Sequence, residues 1–253
     1  MSDTVVRSET EGVITTITLD SPENRNALSS RLLEQLTLAL EAANAETSTR
    51  VVVITGAGNT FCAGADLKDP PGNTPGQQFS FPDILKAIVL GPKPVIARIN
   101  GHVRAGGMGL TAACDIAIAP DDSTFAFSEV RIGVIPAIIN VVCQPVMTPR
   151  AFRRYVITGE VFDGAEAERN GLVTRCVPRE ELDTTVAAMA EELRKAAPSG
   201  ISRSKQLIDS LPRLPIDEQW THTAGISAVQ FQEPDAVEGI GAFREKRTPS
   251  WAL

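Results

Sequence analysis

Two mostly apolar runs, each ending in a glycine-rich bend, constrain this chain most. Val51-Val-Val-Ile-Thr55 leads into Gly56-Ala-Gly-Asn-Thr-Phe-Cys-Ala-Gly-Ala-Asp66, and Pro94–Ile99 leads into Asn100-Gly-His-Val-Arg-Ala-Gly-Gly-Met-Gly109. A strand that is apolar on both faces needs cover on both sides, as the parallel strands of an α/β sheet have. Glycine-rich strand exits leave backbone N–H groups bare. Where a helix starts at such a bend its dipole adds to them, and together they hold negative oxygen. Two such bends in one domain point to two donors meeting on one oxyanion. Tight turns also need glycine for their own geometry, and that plainer reading stays open for each bend.

The chain has 253 residues, 43% of them hydrophobic, enough for a full core in one large domain or one and a half. Its net charge of −7 gives no basic field for a nucleic acid backbone. An anionic ligand can still be held by a few local basic residues and N–H groups. No stretch approaches the roughly 20 apolar residues of a membrane span. Met1-Ser-Asp-Thr-Val-Val-Arg7 lacks the apolar run of a signal peptide. Cys62, Cys114, Cys143 and Cys176 sit among apolar residues, too far apart in sequence for a zinc knuckle or redox pair. They read as buried free thiols in a reducing compartment, and the expected location is the cytoplasm.

In chain order, residues 4–19 predict a hairpin around Thr10-Glu11-Gly12. Residues 20–26 read as a loop and residues 29–46 as a helix. Leu28, Leu32, Leu36, Ala39, Leu40 and Ala43 line one face of that helix. Asp69-Pro-Pro-Gly-Asn-Thr-Pro-Gly76 reads as a mobile surface loop near a binding site. Helices are expected at 81–90 and 107–114, with short strands at 115–120 and 124–127. From Pro136 on helices dominate: 148–158, one opened by the Asp163…Glu166 capping box and closed by Gly171, then 179–197, 199–209 and 234–246. The strand–turn–helix units lack a doubly wound pattern, which leaves an α/β or α+β spiral open. All-helical content after about residue 195 predicts a helical appendage that packs on a neighbouring subunit.

No dinucleotide fingerprint, P-loop or Gly-x-Ser-x-Gly elbow occurs. His102 and His222 form no zinc pair. Glu129 follows Phe125-Ala-Phe127 and precedes Val130-Arg-Ile-Gly-Val-Ile-Pro136. Apolar surroundings disfavour a charged carboxylate, which suits a proton-transfer group. An exposed carboxylate, or one paired with Arg131, is the alternative. His102 reads as structural, and Lys68 and Lys246 as solvated unless a ligand claims them.

Several runs together carry a family resemblance: Leu19-Asp-Ser-Pro-Glu-Asn-Arg-Asn-Ala-Leu28, Phe61-Cys-Ala-Gly-Ala-Asp-Leu-Lys68, Pro94 to Gly109, Cys114-Asp-Ile116, Ser128 to Pro136, and Phe243-Arg-Glu-Lys-Arg247. Over nearly its full length the chain resembles the crotonase superfamily, the enoyl-CoA hydratase/isomerase group. The resemblance implies a spiral of ββα units over residues 1–195 that carries an acyl-CoA site. It also implies a helical trimerisation region over residues 196–253, and a homotrimer or hexamer. A CoA thioester would lie with its carbonyl oxygen between the N–H groups of Ala65 and Gly106. Arg25, Ala63, Asp66 and Leu67 would touch CoA, mainly through backbone. Lys68 and a neighbouring chain's residue at the Lys246 position would lie near its phosphates. Glu129 matches the second of two glutamates usual in the family's hydratases, whereas Gly109 stands at the first. The glycine run usual after the Ile-Pro pair is replaced by Ala137-Ile-Ile-Asn140. Glu129–Pro136 and Arg153–Gly164 also resemble a bacterial branch of methylglutaconyl-CoA hydratase type. The expected activity is therefore hydration of an enoyl-CoA, with Asn140 or His102 helping to place the water. Δ3-Δ2 isomerisation by Glu129 alone, or acyl-CoA binding without turnover, are the alternatives. Neither a metal nor a cofactor is expected, since CoA belongs to the substrate.

Overall fold

The computed structural model describes residues 4–68 and 79–252. Strands β1 (Val6–Glu11) and β2 (Ile14–Leu19) form the expected antiparallel hairpin. Helix α1 (Ser30–Ala45) starts at Ser29, whose Oγ accepts the Leu32 N–H at 3.3 Å. Leu32, Leu33, Leu36, Leu40 and Ala43 are its buried face, and Ala39 is only half-buried. Strands β3 (Val51–Gly56), β5 (Val95–Arg98), β7 (Ile116–Pro120) and β10 (Arg175–Val177) add parallel to β2, so the sheet order is β1-β2-β3-β5-β7-β10.

A second sheet has the order β4 (Thr60–Cys62), β6 (His102–Arg104), β8 (Thr124–Ala126), β9 (Phe162–Asp163). The turns β3–β4, β5–β6 and β7–β8 thus each place one strand in the first sheet and the next in the second, before a helix returns. Helix α2 (Phe81–Leu90) follows β4, and α3 (Gly106–Ala113) follows β6. This is the ββα spiral that the resemblance implied. Strands β4 and β6 lie inside the glycine stretches, where three residues each were too few to show a strand period.

The two-faced apolar run of β3 has two partners. Val52 and Ile54 pack into the core that α1 and α2 cover, while Val51 and Val53 pack with Leu182, Val186 and Ala190 of α7 (Leu182–Lys195). Between β8 and α7 run α4 (Ala137–Val146), α5 (Pro149–Thr158) and α6 (Gly164–Arg169). The capping box is present at α6, where Asp163 Oδ1 accepts the Glu166 N–H at 2.7 Å. Helices α8 (Pro198–Ser210), α9 (Ile216–Gln230) and α10 (Pro234–Glu245) complete the chain. Helix α9 has no buried residue, and Trp220, Phe231 and Phe243 are largely exposed.

One buried cation ties α8 to the spiral. Lys205 Nζ donates to Asp115 Oδ2 at 2.6 Å, to the Lys93 carbonyl at 2.8 Å and to the Ile88 carbonyl at 3.0 Å. The same Asp115 oxygen accepts the Val95 N–H at 2.7 Å. All three ammonium protons therefore have acceptors, the condition under which a lysine can be buried. Among the described residues no helix is long and apolar enough to cross a membrane. The surface loop expected at 69–76 lies outside the described residues.

Candidate active site

Two backbone segments hold residues 63–66 in place. Ala63 N–H donates to the Arg25 carbonyl at 3.1 Å, Leu28 N–H to the Gly64 carbonyl at 2.7 Å, and Asp66 N–H to the Leu28 carbonyl at 3.4 Å. Leu28 and Ala65 form a parallel bridge in which Leu28 bonds residues 64 and 66. In that pattern the intervening residue's own N–H is directed away from the pair. Among the described residues the Ala65 N–H has no acceptor.

Gly106 is the first residue of α3, whose opening N–H groups have no intrahelical acceptor. Its N–H is likewise bare among the described residues. Ala105, just before it, holds φ 48° and ψ −119°, a region that costs an L-residue roughly 1–3 kcal/mol. The strained peptide is pinned by Ala105 N–H to the Ala126 carbonyl (3.1 Å) and Met108 N–H to the Ala105 carbonyl (2.8 Å). Gly64, at φ 89°, lies against this bend: a methyl group there would stand 2.5 Å from Ala105 Cβ and 3.0 Å from Gly106 N. The two glycine-rich bends are therefore in contact, with one bare amide on each.

Glu129 sits in a short 3-10 turn, Ser128–Ile132, directly after β8. Gly133, at φ 76°, closes the turn, and Val134 N–H bonds the Glu129 carbonyl at 3.0 Å. Its carboxylate Oε2 is buried and has no hydrogen-bond partner among the described residues. Burial pushes this carboxyl above the ordinary range, because the charged form loses hydration. The Arg131 pairing considered from the sequence is not formed among the described residues. The Cys143 thiol donates to the Met108 carbonyl at 3.6 Å. Burial first, and then the charge of Glu129, push that thiol up, which places α4 in the field of the carboxylate.

Gly109 lies one turn beyond Gly106 on α3. A methyl group at Gly109 would stand 3.0 Å from Ile139 Cβ and collide with its Cγ2, and would lie 3.5 Å from Phe81 Cζ. Ile139, from α4, is 3% exposed and fills the room that a side chain at 109 would need. The sequence showed that residue 109 has no side chain, and that 137–140 departs from the family pattern. It could not show that one departure fits into the other.

Of the other expected residues, Arg25, Ala63, Asp66, Leu67 and Lys68 are gathered at one edge. Arg25 is exposed at φ 52°, and its carbonyl holds Ala63. Asp66 Oδ2 accepts Asn24 Nδ2 at 2.8 Å and Oδ1 accepts the Lys68 N–H at 2.9 Å. Leu67 and Lys68 are exposed. Lys246 lies apart, as the left-handed C-cap of α10, whose main packing partner is α8. His102 Nδ1 is bonded to Thr124 Oγ1 at 2.9 Å, and no polar contact joins it to Glu129 among the described residues. Asn140 is half-buried on α4 beside Ile139, and its side chain has no partner among the described residues. Cys62, Cys114 and Cys143 are buried free thiols and Cys176 is half-buried. No group of three His, Cys, Asp or Glu able to hold a metal occurs among the described residues.

Two bare amides and a buried carboxyl are the parts that proton transfer beside a carbonyl requires. Comparison with known proteins gives the family. The chain belongs to the enoyl-CoA hydratase/isomerase family of the crotonase superfamily, whose pattern matches residues 9–252. It is 32% identical over 246 residues to a putative enoyl-CoA hydratase of Thermus thermophilus, covering 94% of this chain and 97% of that one. It is 33% identical over 251 residues to a carnitinyl-CoA dehydratase of Escherichia coli O157:H7, covering 95% of each. The crystal structure of an enoyl-CoA hydratase from Mycobacterium smegmatis superposes with a TM-score of 0.90 at 30% identity, over 99% of this chain and 100% of that one.

Proposed function

We propose that this protein hydrates a 2-enoyl-CoA thioester through an enolate held by the Ala65 and Gly106 amides, with Glu129 as the acid–base. The observation that carries the reading is the buried, unpartnered Oε2 of Glu129, on the turn after the strand whose Ala126 carbonyl pins Ala105. Glu129, whose charged form burial disfavours, takes a proton from the water whose hydroxyl bonds the β-carbon, and that addition forms the enolate. It then gives that proton to the α-carbon. Each amide that meets the developing oxyanion is typically worth ~3 kcal/mol in the transition state. Relatives named enoyl-CoA hydratase and carnitinyl-CoA dehydratase support water addition or removal as the reaction.

In this reading Arg25, Ala63, Asp66, Leu67 and Lys68 line the CoA entrance, and Lys246 reaches a neighbouring copy's CoA. The active form is a homotrimer or hexamer built through the helices of residues 196–253, in the cytoplasm. It needs no cofactor besides the CoA of its substrate. The test is incubation with crotonyl-CoA and branched 2-enoyl-CoAs, following loss of the conjugated absorbance. Hydration that disappears in Glu129→Gln supports the proposal. Tight CoA binding without hydration of any substrate would overturn it.

A second reading has its own observation. Ile139 fills the space before Gly109, so among the described residues Glu129 is the one carboxylate assigned to the site. Isomerisation of a 3-enoyl-CoA needs only one: Glu129 removes an α-proton and returns it at the γ-carbon. A gain of conjugated absorbance from 3-hexenoyl-CoA would identify it.

A further inference from the structure

We infer that Asn26 is a positioning residue for both bare amides: it locks the segment 25–28, which touches residues 63–66 and Gly106, onto the opening of the first glycine-rich bend. The inference rests on the acyl-CoA reading above and concerns how the two donors are held at one spacing. Residues 25–28 reach both bends. The Arg25 carbonyl accepts the Ala63 N–H at 3.1 Å, and Leu28 bonds residues 64 and 66 on either side of Ala65. Leu28 also presents its side chain to the other donor: a methyl group at Gly106 would stand 2.7 Å from Leu28 Cδ1. A shift of this one segment therefore displaces both donors.

Asn26 lies between those contacts and is wholly buried. Its Oδ1 accepts the Ser21 N–H at 2.9 Å, and its Nδ2 donates to the Thr60 carbonyl at 2.7 Å and the Ala57 carbonyl at 3.0 Å. Both amide protons and the side-chain oxygen are thus used, as burial demands. Arg25 and Asn26 both hold left-handed backbone, at φ 52° and 53°, a region that asparagine visits more readily than most residues with a Cβ. The bonds to residues 57 and 60 fix that turn against the bend. A methyl group at Gly56 would stand 2.8 Å from Asn26 Nδ2 and 2.8 Å from Asn100 Oδ1, so the bend closes on both side chains with no room to slide. Asn100 ties the bend to the second glycine stretch, through the Gly56 N–H at 3.1 Å and the Gly58 carbonyl at 2.8 Å. Asn26 ties the same bend to the segment that sets the amides.

The experiment uses Asn26→Gly, which permits the left-handed backbone and deletes all three side-chain bonds. Lys205→Met also deletes three buried hydrogen bonds, at the far end of α3, and controls for lost stability. Two quantities are read on both variants and on the unaltered protein: α-proton exchange of butyryl-CoA in D2O, and the carbonyl stretch of that bound thioester, labelled with carbon-13. In the exchange Glu129 takes the α-proton, the electron pair of that bond moves onto the carbonyl oxygen between the amides, and a deuteron then returns to the α-carbon. Exchange at saturation should fall about tenfold to a hundredfold in Asn26→Gly with KM within about threefold, as displacement of a positioned group does. The carbonyl stretch should move part-way back to its value in water. Lys205→Met should leave the rate within about twofold and the stretch unmoved. An Asn26→Gly variant that keeps its rate, or that loses rate with the stretch unmoved, overturns the inference and leaves the proposed function standing, as does an equal fall in Lys205→Met. Absence of exchange in the unaltered protein overturns the acyl-CoA reading itself, and the inference with it. If Asn26→Gly does not fold, Asn26→Asp keeps the Ser21 bond but brings no donor to residues 57 and 60, and the same losses are required of it.

Discussion

Gly64→Ala is the substitution that tests the contact between the two bends. Its cost has two parts. Gly64 holds φ 89°, and a left-handed backbone costs a residue with a Cβ roughly 1–2 kcal/mol. The new methyl would also stand 2.5 Å from Ala105 Cβ and 3.0 Å from Gly106 N, far inside ordinary contact. Relieving such overpacking typically costs about 1–3 kcal/mol. The expected loss is therefore about 2–5 kcal/mol in urea denaturation. Gly12→Ala supplies the control: its φ is 58°, with nothing within 4 Å of the added methyl. It should cost only the conformational part, roughly 1–2 kcal/mol, and leave catalysis alone. Gly64→Ala should also lower kcat on crotonyl-CoA by about a hundredfold to a thousandfold, as loss of one oxyanion donor does. Adding Ala105→Gly removes the methyl–methyl collision and the strain at φ 48°, so the double variant should regain part of both losses. If Gly64→Ala matches Gly12→Ala in stability and keeps full kcat, the bends do not depend on each other and the reasoning fails.

Glu129→Gln should make the fold more stable at pH 8 and change little at roughly pH 4, where the glutamate is protonated in both states. The sign follows from burial, which raises the carboxyl in the folded protein: the native state binds more protons than the unfolded one, so stability falls as pH rises through the raised value. Denaturant midpoints across pH check this, and a variant less stable at pH 8 than the unaltered protein contradicts it. Lys205→Met should cost about 1–3 kcal/mol, because it leaves the partly exposed Asp115 carboxylate and two backbone carbonyls without their donor. Asp115 would keep only the Val95 N–H, and α8 would lose its tie to the ends of α2 and β5. A loss under about 1 kcal/mol, the size of a surface pair, would show that the lysine is not buried in solution.

How far the residues alone reach depends on how local each cause is. The apolar runs at 51–55 and 95–98 announce strands covered on both faces, and Val51 and Val53 do pack on a different layer from Val52 and Ile54. The face of α1 follows from leucine spacing, with Leu33 the one buried residue missed. Strands β4 and β6 are hidden because three residues among glycines carry no readable alternation. Helix α4 carries Pro145 near its end and is apolar on most sides although it buries only Ile139 and Cys143, and α9 buries nothing, so neither shows the two-sided contrast by which a helix is recognised. Glu129 was legible as an acid in apolar company. Its bare Oε2 was not, since that depends on what α4 and the turn place around it. The fit of Ile139 into the space before Gly109 joins positions thirty residues apart, and no local pattern encodes it. Lys205 gave no signal in the sequence; it reads as one more lysine on a helix.

The most direct measurement is the infrared difference spectrum of crotonyl-CoA, labelled with carbon-13 at the thioester carbonyl, bound to Glu129→Gln. That variant should hold the substrate without turning it over. If the amides of residues 65 and 106 both grip the carbonyl oxygen, its stretch falls well below the value in water, and the fall shrinks when Gly64→Ala is added. A bound carbonyl that absorbs where it does in water would contradict the account.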